Sequence, residues 1–195
     1  MLDIAILCLI GTRPLYTDDP WPVDAGLFEL EFGQGLTGSK EGYFQWKYGW
    51  GRFELDMGFP WRGNEPREIE GFELSTKWGF ISGTGFLPDA GLIACWAPGD
   101  GSYNLFGILG KEIGPLELLG NLAYDYGNPS LSAGAAGVYY PHERIGLCAE
   151  AFYQEEMFLG GGLRMFPHEN LLLDLSYHWA KGPGHDIGAG FTFDF

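Results

Sequence analysis

The chain has 195 residues, which suits a single domain, and its formal net charge is −15. This acidity, with no basic stripe in the sequence, argues against a surface that binds phosphate or nucleic acid. Charged residues make up only 19% of the chain, below the roughly 25% usual for soluble domains, whereas glycine (32 residues) and aromatic residues (16%) are frequent. The composition therefore favours glycine-rich and aromatic β-structure.

The N-terminal residues contain one short apolar run, IAILCLI at 4–10. Asp3 precedes it where a secretory signal peptide normally carries a positive residue, and no clean cleavage site follows. We interpret residues 1–12 as a signal-peptide remnant or as an ordinary N-terminal segment, and residues 13–195 as one domain. No run approaches the roughly 20 apolar residues that a membrane-spanning helix needs.

From residue 26 onward, apolar and polar residues alternate, as they do on β-strands with two different faces. In the third predicted strand, for example, Phe53 and Leu55 alternate with Glu54 and Asp56. Four central strands are less regular than the others. In chain order, the pattern predicts strands near residues 26–33, 42–50, 52–59, 71–81, 89–97, 103–112, 115–125, 131–140, 144–153, 157–166, 170–179 and 186–195.

The orientation of the apolar face separates a soluble barrel or sandwich from a membrane barrel, since both give this alternation. An even strand count and strand lengths near the roughly 9–11 residues of a tilted membrane strand favour lipid. The last strand also ends on an aromatic residue, Phe195. Aromatic residues lie near strand ends, the depth they prefer at a bilayer boundary. These are Trp21, Trp50, Trp61, Tyr139, Tyr140 and Trp179.

We therefore predict an all-β protein: a closed antiparallel transmembrane β-barrel of about 12 strands with short loops. Closure is required because an open edge cannot satisfy its backbone groups in lipid. With both chain ends in the periplasm, loops near 34–41, 60–70, 98–102, 126–130, 154–157 and 180–185 face outside. Because these connections are short, we expect no plug or lid. A soluble ligand-binding barrel stays open as the alternative.

The segment RPLYTDDPWPVDAGLFELEFG, residues 13–33, resembles the start of a bacterial β-barrel family named after the meta-pathway of phenol degradation. Those proteins open with Arg-Pro-Leu, then Thr-Asp-Asp, then a Gly-x-Phe-Glu-Leu-Glu first strand. The later segments KYGWGRFELDMGF (47–59) and DIGAGFTFDF (186–195) have a similar rhythm. The resemblance implies an outer-membrane barrel, for which transport of aromatic compounds has been proposed, and it supplies no catalytic residue.

If the apolar face meets lipid, the polar face lines the lumen. Eleven acids then point inward against four bases, a formal difference of seven negative charges. We interpret these side chains either as cross-strand ion pairs that fix the register or as the lining of a channel that favours cations. The predicted lumen residues are Glu29, Glu31, Lys47, Arg52, Glu54, Asp56, Glu73, Lys77, Glu117, Asp125, Glu150, Arg164, Asp174 and His178, and the remaining acids are Asp186 and Asp194.

The sequence offers little for catalysis. Ser176 and His178 share a strand face with Asp174, but alternation alone produces such spacing. The four histidines have no metal-ligand spacing, and the Gly-rich stretch at 159–163 is not followed by a helix. We predict that the protein is not an enzyme and uses neither a metal nor a cofactor.

The sequence thus predicts a bacterial outer-membrane barrel that passes small solutes, aromatic ones among them, by passive diffusion. Expected partners are outer-membrane lipid and the barrel assembly machinery, which would read the strand ending at Phe195, but not nucleic acid. A sealed structural barrel of the envelope is the alternative within the membrane. Twelve strands leave both alternatives open, since eight fill a barrel with side chains and about sixteen leave an aqueous channel.

Overall fold

A computed structural model describes residues 17–37, 41–62, 68–69, 71–99, 101–180 and 184–195. Within these ranges the regular structure consists of β-strands, and there is no helix long and apolar enough to span a membrane. The strands are β1 Phe28–Gly35, β2 Gly42–Trp50, β3 Phe53–Arg62, β4 Glu68–Ile69, β5 Glu73–Ile81, β6 Asp89–Ala97, β7 Ser102–Ile113, β8 Leu116–Asp125, β9 Ser130–His142, β10 Ile145–Gln154, β11 Glu156–His168, β12 Leu171–Ala180 and β13 Gly184–Asp194.

The sheet closes on itself as an antiparallel barrel. Consecutive long strands pair along the chain, and β1 pairs with both β2 and β13. The two-residue β4 adds only to the far end of β3. The predicted closed barrel of twelve strands is therefore confirmed, with β4 as a short addition to one rim.

The seam between the first and last strands includes the final residue. Phe28 and Phe195 exchange two backbone hydrogen bonds, with N–O distances of 3.0 and 2.9 Å. Their rings also stack, with centroids 5.7 Å apart. These contacts extend the β1–β13 ladder by one pair, so that the pairing continues to the end of the chain.

The apolar side chains face outward. Phe53 and Leu55 are 47% and 52% exposed, whereas Glu54 and Asp56, which alternate with them on β3, are 1% and 4% exposed. Phe191 and Phe193 on β13 are each 41% exposed. A soluble barrel would require these four apolar residues to pack in a central core, and they do not. The alternation therefore separates an apolar exterior from a largely polar interior.

Two of the aromatic residues predicted at the bilayer boundary lie inside instead. Trp21 and Tyr140 pack against an interior apolar cluster that contains Leu119 and Val138. Trp21 precedes the first strand, and its chain segment runs inside the barrel. Tyr140 follows an irregularity in the β9–β10 pairing, and its hydroxyl donates to Glu117 at 2.9 Å. The expected exterior position does hold for Trp50, Tyr139 and Trp179, which are 76%, 48% and 41% exposed.

The connections differ only modestly from those predicted. The turns fall near 51–52, 82–88, 114–115, 143–144 and 169–170 at one rim, and the opposite rim carries the predicted outer loops. Strands β9 and β11 each extend to 13 residues, longer than their patterns predicted. Parts of four of the loops predicted to face outside lie beyond the described residues, and so do residues 1–16, which include the predicted signal-peptide remnant at 1–12.

Candidate functional site: the barrel lumen

Most of the predicted lumen residues lie on the interior face and are buried. Eleven of them are at most 9% exposed: Glu31, Lys47, Glu54, Asp56, Glu73, Lys77, Glu117, Asp125, Glu150, Arg164 and Asp174. Glu29 and His178 are partly buried, with side-chain exposures of 18% and 12%. Each arrives there by strand alternation, which places every second residue of a strand on one face.

Arg52 does not lie in the lumen with these residues. The chain reverses at Gly51, which has a positive φ of 65°, so Arg52 occupies the turn between β2 and β3. Its side chain is exposed at the rim and donates to the carbonyl of Phe80 at 3.4 Å. The alternating pattern predicts a strand that begins at residue 52, whereas β3 begins one residue later, at Phe53.

Lys47 on β2 forms the first charged cluster. Its Nζ lies 2.8 Å from Glu29 Oε1 and 2.8 Å from Glu31 Oε1, both on the neighbouring strand β1. Tyr43 is placed to donate to the second oxygen of Glu31 at 3.5 Å. One buried ammonium group thus holds two carboxylates, and a buried charge needs such pairing to offset its lost hydration.

Lys77 on β5 forms the second charged cluster. Two of its three carboxylate partners belong to the chain segment before the first strand and not to the barrel strands. Its Nζ lies 3.1 Å from Asp18 Oδ1 and 3.7 Å from Asp19 Oδ1, while Glu54 Oε1 on β3 is 3.5 Å away. Asp18 and Asp19 precede the first strand. We call residues 17–23, which run inside the barrel, the luminal segment.

The luminal segment is held at one end by Glu150 on β10. The backbone nitrogen and hydroxyl of Thr17 donate to Glu150 Oε2 at 3.1 and 3.3 Å. The other oxygen of Glu150 lies 3.0 Å from His178 Nε2 on β12. A Cβ on Gly160 of the intervening β11 would come within 2.5 Å of His178 Cδ2, so this glycine leaves room for the pair. The space beside Gly160 is therefore occupied by these side chains and does not widen the bore.

The opposite end of the luminal segment is fixed on the other side of the barrel. The backbone nitrogen of Val23 donates to Glu54 Oε2 on β3 at 2.6 Å. Between the two ends, Asn121 on β8 bridges the backbone of Asp18. With its amide oriented to suit these partners, Asn121 donates to the Asp18 carbonyl at 2.9 Å and accepts from its nitrogen at 2.6 Å. The segment therefore crosses the lumen between β3 and β10.

Glycines on the interior face make this crossing possible. A Cβ on Gly110 of β7 would lie 2.6 Å from Pro20 Cδ, and one on Gly134 of β9 would lie 2.7 Å from Thr17 Oγ1. A Cβ on Gly49 of β2 would clash with the backbone of Val23. Any side chain at these positions would occupy the path of the luminal segment. The expectation of a lumen without a plug is wrong, because the plug comes from the N-terminal side and not from a loop.

One side of the interior is apolar, which the sequence analysis missed. Phe106 and Ile108 on β7 are 2% and 1% exposed and pack with Ile93 and Phe152. A second cluster around Val138 contacts Trp21 of the luminal segment. The segment is thus held by charges on the β3–β5 side, and on the β7–β10 side by apolar contacts together with hydrogen bonds to Glu150 and Asn121.

Asp19 belongs to the luminal segment and lies outside the strands. Burial raises the pKa of Asp19 to about 6, and the nearby Lys77 opposes that rise. Its Oδ1 also accepts the backbone nitrogen of Trp21 at 2.9 Å, a local turn typical of aspartate. Asp19 therefore changes charge within a range that includes mildly acidic conditions.

The inward-facing residues that the structure describes bind one another and the luminal segment, and form no arrangement typical of an active site. His178 faces Glu150 and shares no hydrogen bond with Ser176 among those we observe, although both residues point inward. Within the described ranges, no three His, Cys, Asp or Glu side chains are placed to hold a metal ion. The contacts of these residues link strands to one another and to the luminal segment.

No family model matches the sequence, and no curated protein matches it. Solved structures do share its fold. The KdgM porin in complex with disordered oligogalacturonate has a TM-score of 0.73 at 9% identity, covering 86% of this chain and 99% of that one. An outer-membrane channel from Pseudomonas putida F1 has a TM-score of 0.64 at 11% identity, covering 91% and 98%. The NanC porin has a TM-score of 0.61 at 10% identity, covering 85% and 98%.

These neighbours are porins and channels rather than enzymes. Their likeness to this chain is one of fold, at identities too low to carry solute specificity. The resemblance to the family named after the meta-pathway of phenol degradation is not confirmed, since no family model matches. The chain has the fold of the twelve-stranded, porin-like barrels of the outer membrane.

Proposed function

We propose that the protein is a passive channel of the bacterial outer membrane for small solutes, and that it favours cations. The observation that supports this proposal is the contrast between the interior and exterior faces of the barrel. Within the described residues, nine acids but only three bases are buried, while the exterior is apolar. A charged lumen of one dominant sign attracts counter-ions and repels co-ions.

The direction of this preference distinguishes the chain from one of its structural neighbours. KdgM was crystallised with oligogalacturonate, which is a polyanion. An excess of buried carboxylates would repel such a solute by like-charge interaction. We therefore assign this lumen to small cationic or neutral solutes. Tyr43, which lines an interior cavity, supports the inclusion of aromatic solutes.

The test is conductance in a planar bilayer with a potassium chloride gradient. We expect discrete current steps and a reversal potential of the sign produced by potassium permeation. Exchange of Glu117 for Gln and of Asp125 for Asn should move that potential toward zero. A reversal potential of the chloride sign would contradict the cation preference but leave a channel.

A second function, a sealed barrel that supports the envelope, is favoured by the luminal segment, which contacts both sides of the lumen. The two functions separate when the segment is displaced, for example by Gly110→Leu. Current that appears only in the displaced variant would indicate a channel narrowed by its own segment. Flat traces from both proteins, with both correctly folded, would support the sealed barrel.

The outer-membrane location is part of the proposal, and it has its own test. Membrane fractionation should recover the protein with the outer membrane. Unboiled and boiled samples should also migrate differently on a detergent gel, as closed barrels do. Recovery from the soluble fraction without detergent would contradict both the location and the channel.

A further inference from the structure

A cavity of about 40 Å³ lies inside the barrel, against the wall formed by β2, β3, β5 and β6. The luminal segment borders it through Asp18. Its other acidic lining residues are Glu54, Asp56 and Glu73, and Lys47 is the one basic residue among those that line it. Acidic residues therefore outnumber basic residues among those that line the cavity.

The nearby ammonium groups are already engaged by other carboxylates. Lys47 contacts Glu29 and Glu31 at 2.8 Å each, and neither of these acids lines the cavity. Lys77 is shared between the luminal segment and Glu54. Neither lysine lies within ion-pair distance of Asp56 in the described part of the chain.

Asp56 has one carboxylate oxygen for which the described part of the chain provides no hydrogen-bond donor. Ser75 donates to its Oδ2 at 2.6 Å. No hydrogen-bond donor of the described residues reaches its Oδ1, which is buried, and the residue is only 4% exposed. A buried acceptor without a partner costs about 1–3 kcal/mol, and more if it is charged. This oxygen is therefore placed to accept a hydrogen bond from a ligand.

The chemistry of the cavity selects the class of ligand. A buried carboxyl group with further acids beside it favours a cation that carries N–H donors, because the cation stabilises the ionised, acceptor-only form of that carboxyl. A bare metal ion is disfavoured, because no three ligand side chains of the described residues are suitably arranged. The ring of Tyr43, which also lines the cavity, adds a face that attracts ammonium groups. The volume suits about three water-sized groups, enough for an ammonium head and its first carbons.

We propose that this cavity binds the primary ammonium group of a small organic amine, with Asp56 Oδ1 accepting its hydrogen bond. The alkyl part of the amine then lies toward Tyr43 and Ile93, which line the cavity from β2 and β6. The inference rests on the proposed channel function, since the amine must reach the lumen. It deepens that function by giving the channel a saturable site for one class of cation.

The test uses the full-length barrel in detergent micelles at pH 7 and low salt. Propylamine, which is protonated at this pH, is compared by calorimetric titration with 1-propanol, which has the same length but no charge. We expect propylamine to bind at least tenfold more tightly than propanol. Equal affinities would overturn the proposal, and this comparison needs no variant.

Two variants locate the site. Asp56→Asn keeps the shape of the side chain but removes its charge, and we expect at least a tenfold loss of propylamine affinity. Glu117→Gln removes one buried charge on β8, away from the cavity, and we expect affinity within twofold of the natural protein. Unchanged affinity in Asp56→Asn, in barrels that keep the gel shift of the folded form, would overturn the assignment.

Because binding is measured without current, the site and the channel fail separately. Propylamine binding by a barrel that passes no current would leave the site and remove the channel. Conductance with no preference for propylamine over propanol would remove the site and leave the channel.

Discussion

The two sides of the lumen hold the same peptide by different physical means. On the β3–β5 side, Lys77 and Glu54 bind the luminal segment through charges and hydrogen bonds. On the β7–β10 side, Val138 and its neighbours add apolar packing against Trp21, beside the hydrogen bonds from Thr17 to Glu150. Charged contacts need pairing to tolerate burial, whereas apolar contacts need only a close fit. The two sides should therefore respond differently to substitution, pH and salt.

The largest effect is expected on the charged side. Lys77→Ala leaves Asp18, Asp19 and Glu54 without their shared cation, and breaking a buried pair costs about 3–5 kcal/mol. The free energy of unfolding, from urea titration in phospholipid vesicles, should fall by that amount. Arg52→Ala, at an exposed turn, is the control and should change it by less than about 0.5 kcal/mol. Equal effects would mean that the Lys77 cluster adds nothing to stability.

On the apolar side, two adjacent residues of β7 allow a matched comparison of an interior with an exterior substitution. Ile108 is 1% exposed, and the adjacent Leu109, with the same number of carbon atoms, is 50% exposed on the exterior. Ile108→Ala should cost about 2–5 kcal/mol of unfolding free energy because it leaves a cavity. Leu109→Ala should cost less than half as much, since lipid can fill the space. A reversed order would contradict the assignment of the interior face.

Acidity should act through the charged side alone. The pKa of Asp19 rises from 3.8 to about 6 on folding, so the folded protein retains a proton that the unfolded chain loses between these values. The free energy of unfolding should therefore decrease as pH rises through this window, by up to about 3 kcal/mol from this group. Asp19→Asn should remove that part of the slope. Parallel stability curves for the natural protein and the variant between pH 4 and 6 would contradict it.

The smallest effect on stability is expected at an interior glycine whose role is to leave room for the luminal segment. Gly110→Leu places a side chain where Pro20 lies, and overpacking costs about 1–3 kcal/mol. Gly107, on the other face of β7, has only a carbonyl at 3.9 Å near a built Cβ, so Gly107→Leu is the control. Gly110→Leu should raise the single-channel current severalfold, with Gly107→Leu unchanged. Equal currents in the two variants would mean that the luminal segment does not limit flow.

The difference between the two sides also explains which strand faces could be predicted from the sequence and which could not. Strand β3 alternates Phe53 and Leu55 with Glu54 and Asp56, so its two faces could be assigned from the pattern alone. On β7, however, inward Phe106 and Ile108 alternate with outward Leu105 and Leu109. Apolar residues on both faces erase the period of two, which is why the central strands were irregular in sequence.

The luminal segment could not be predicted from its own residues. Thr17, Asp18 and Asp19 followed by proline are typical of a surface turn, and nothing local indicates burial. The signal lay instead in the strands around it, in Gly49 and Gly110 at interior positions. A strand glycine often marks close approach of another backbone, but the pattern does not say which segment approaches.

The closed wall constrains the order in which the molecule is assembled. Thr17 and Val23 are hydrogen-bonded to β10 and β3 respectively, inside a barrel that closes where β1 pairs with β13. A peptide in that position is either enclosed before β1 meets β13 or threaded afterwards through one mouth of the barrel. In the first route the segment templates the meeting of distant strands. In the second route the segment must lose its bound water inside a barrel that is already closed. The last kinetic phase of folding would then report insertion of the segment and not closure of the barrel.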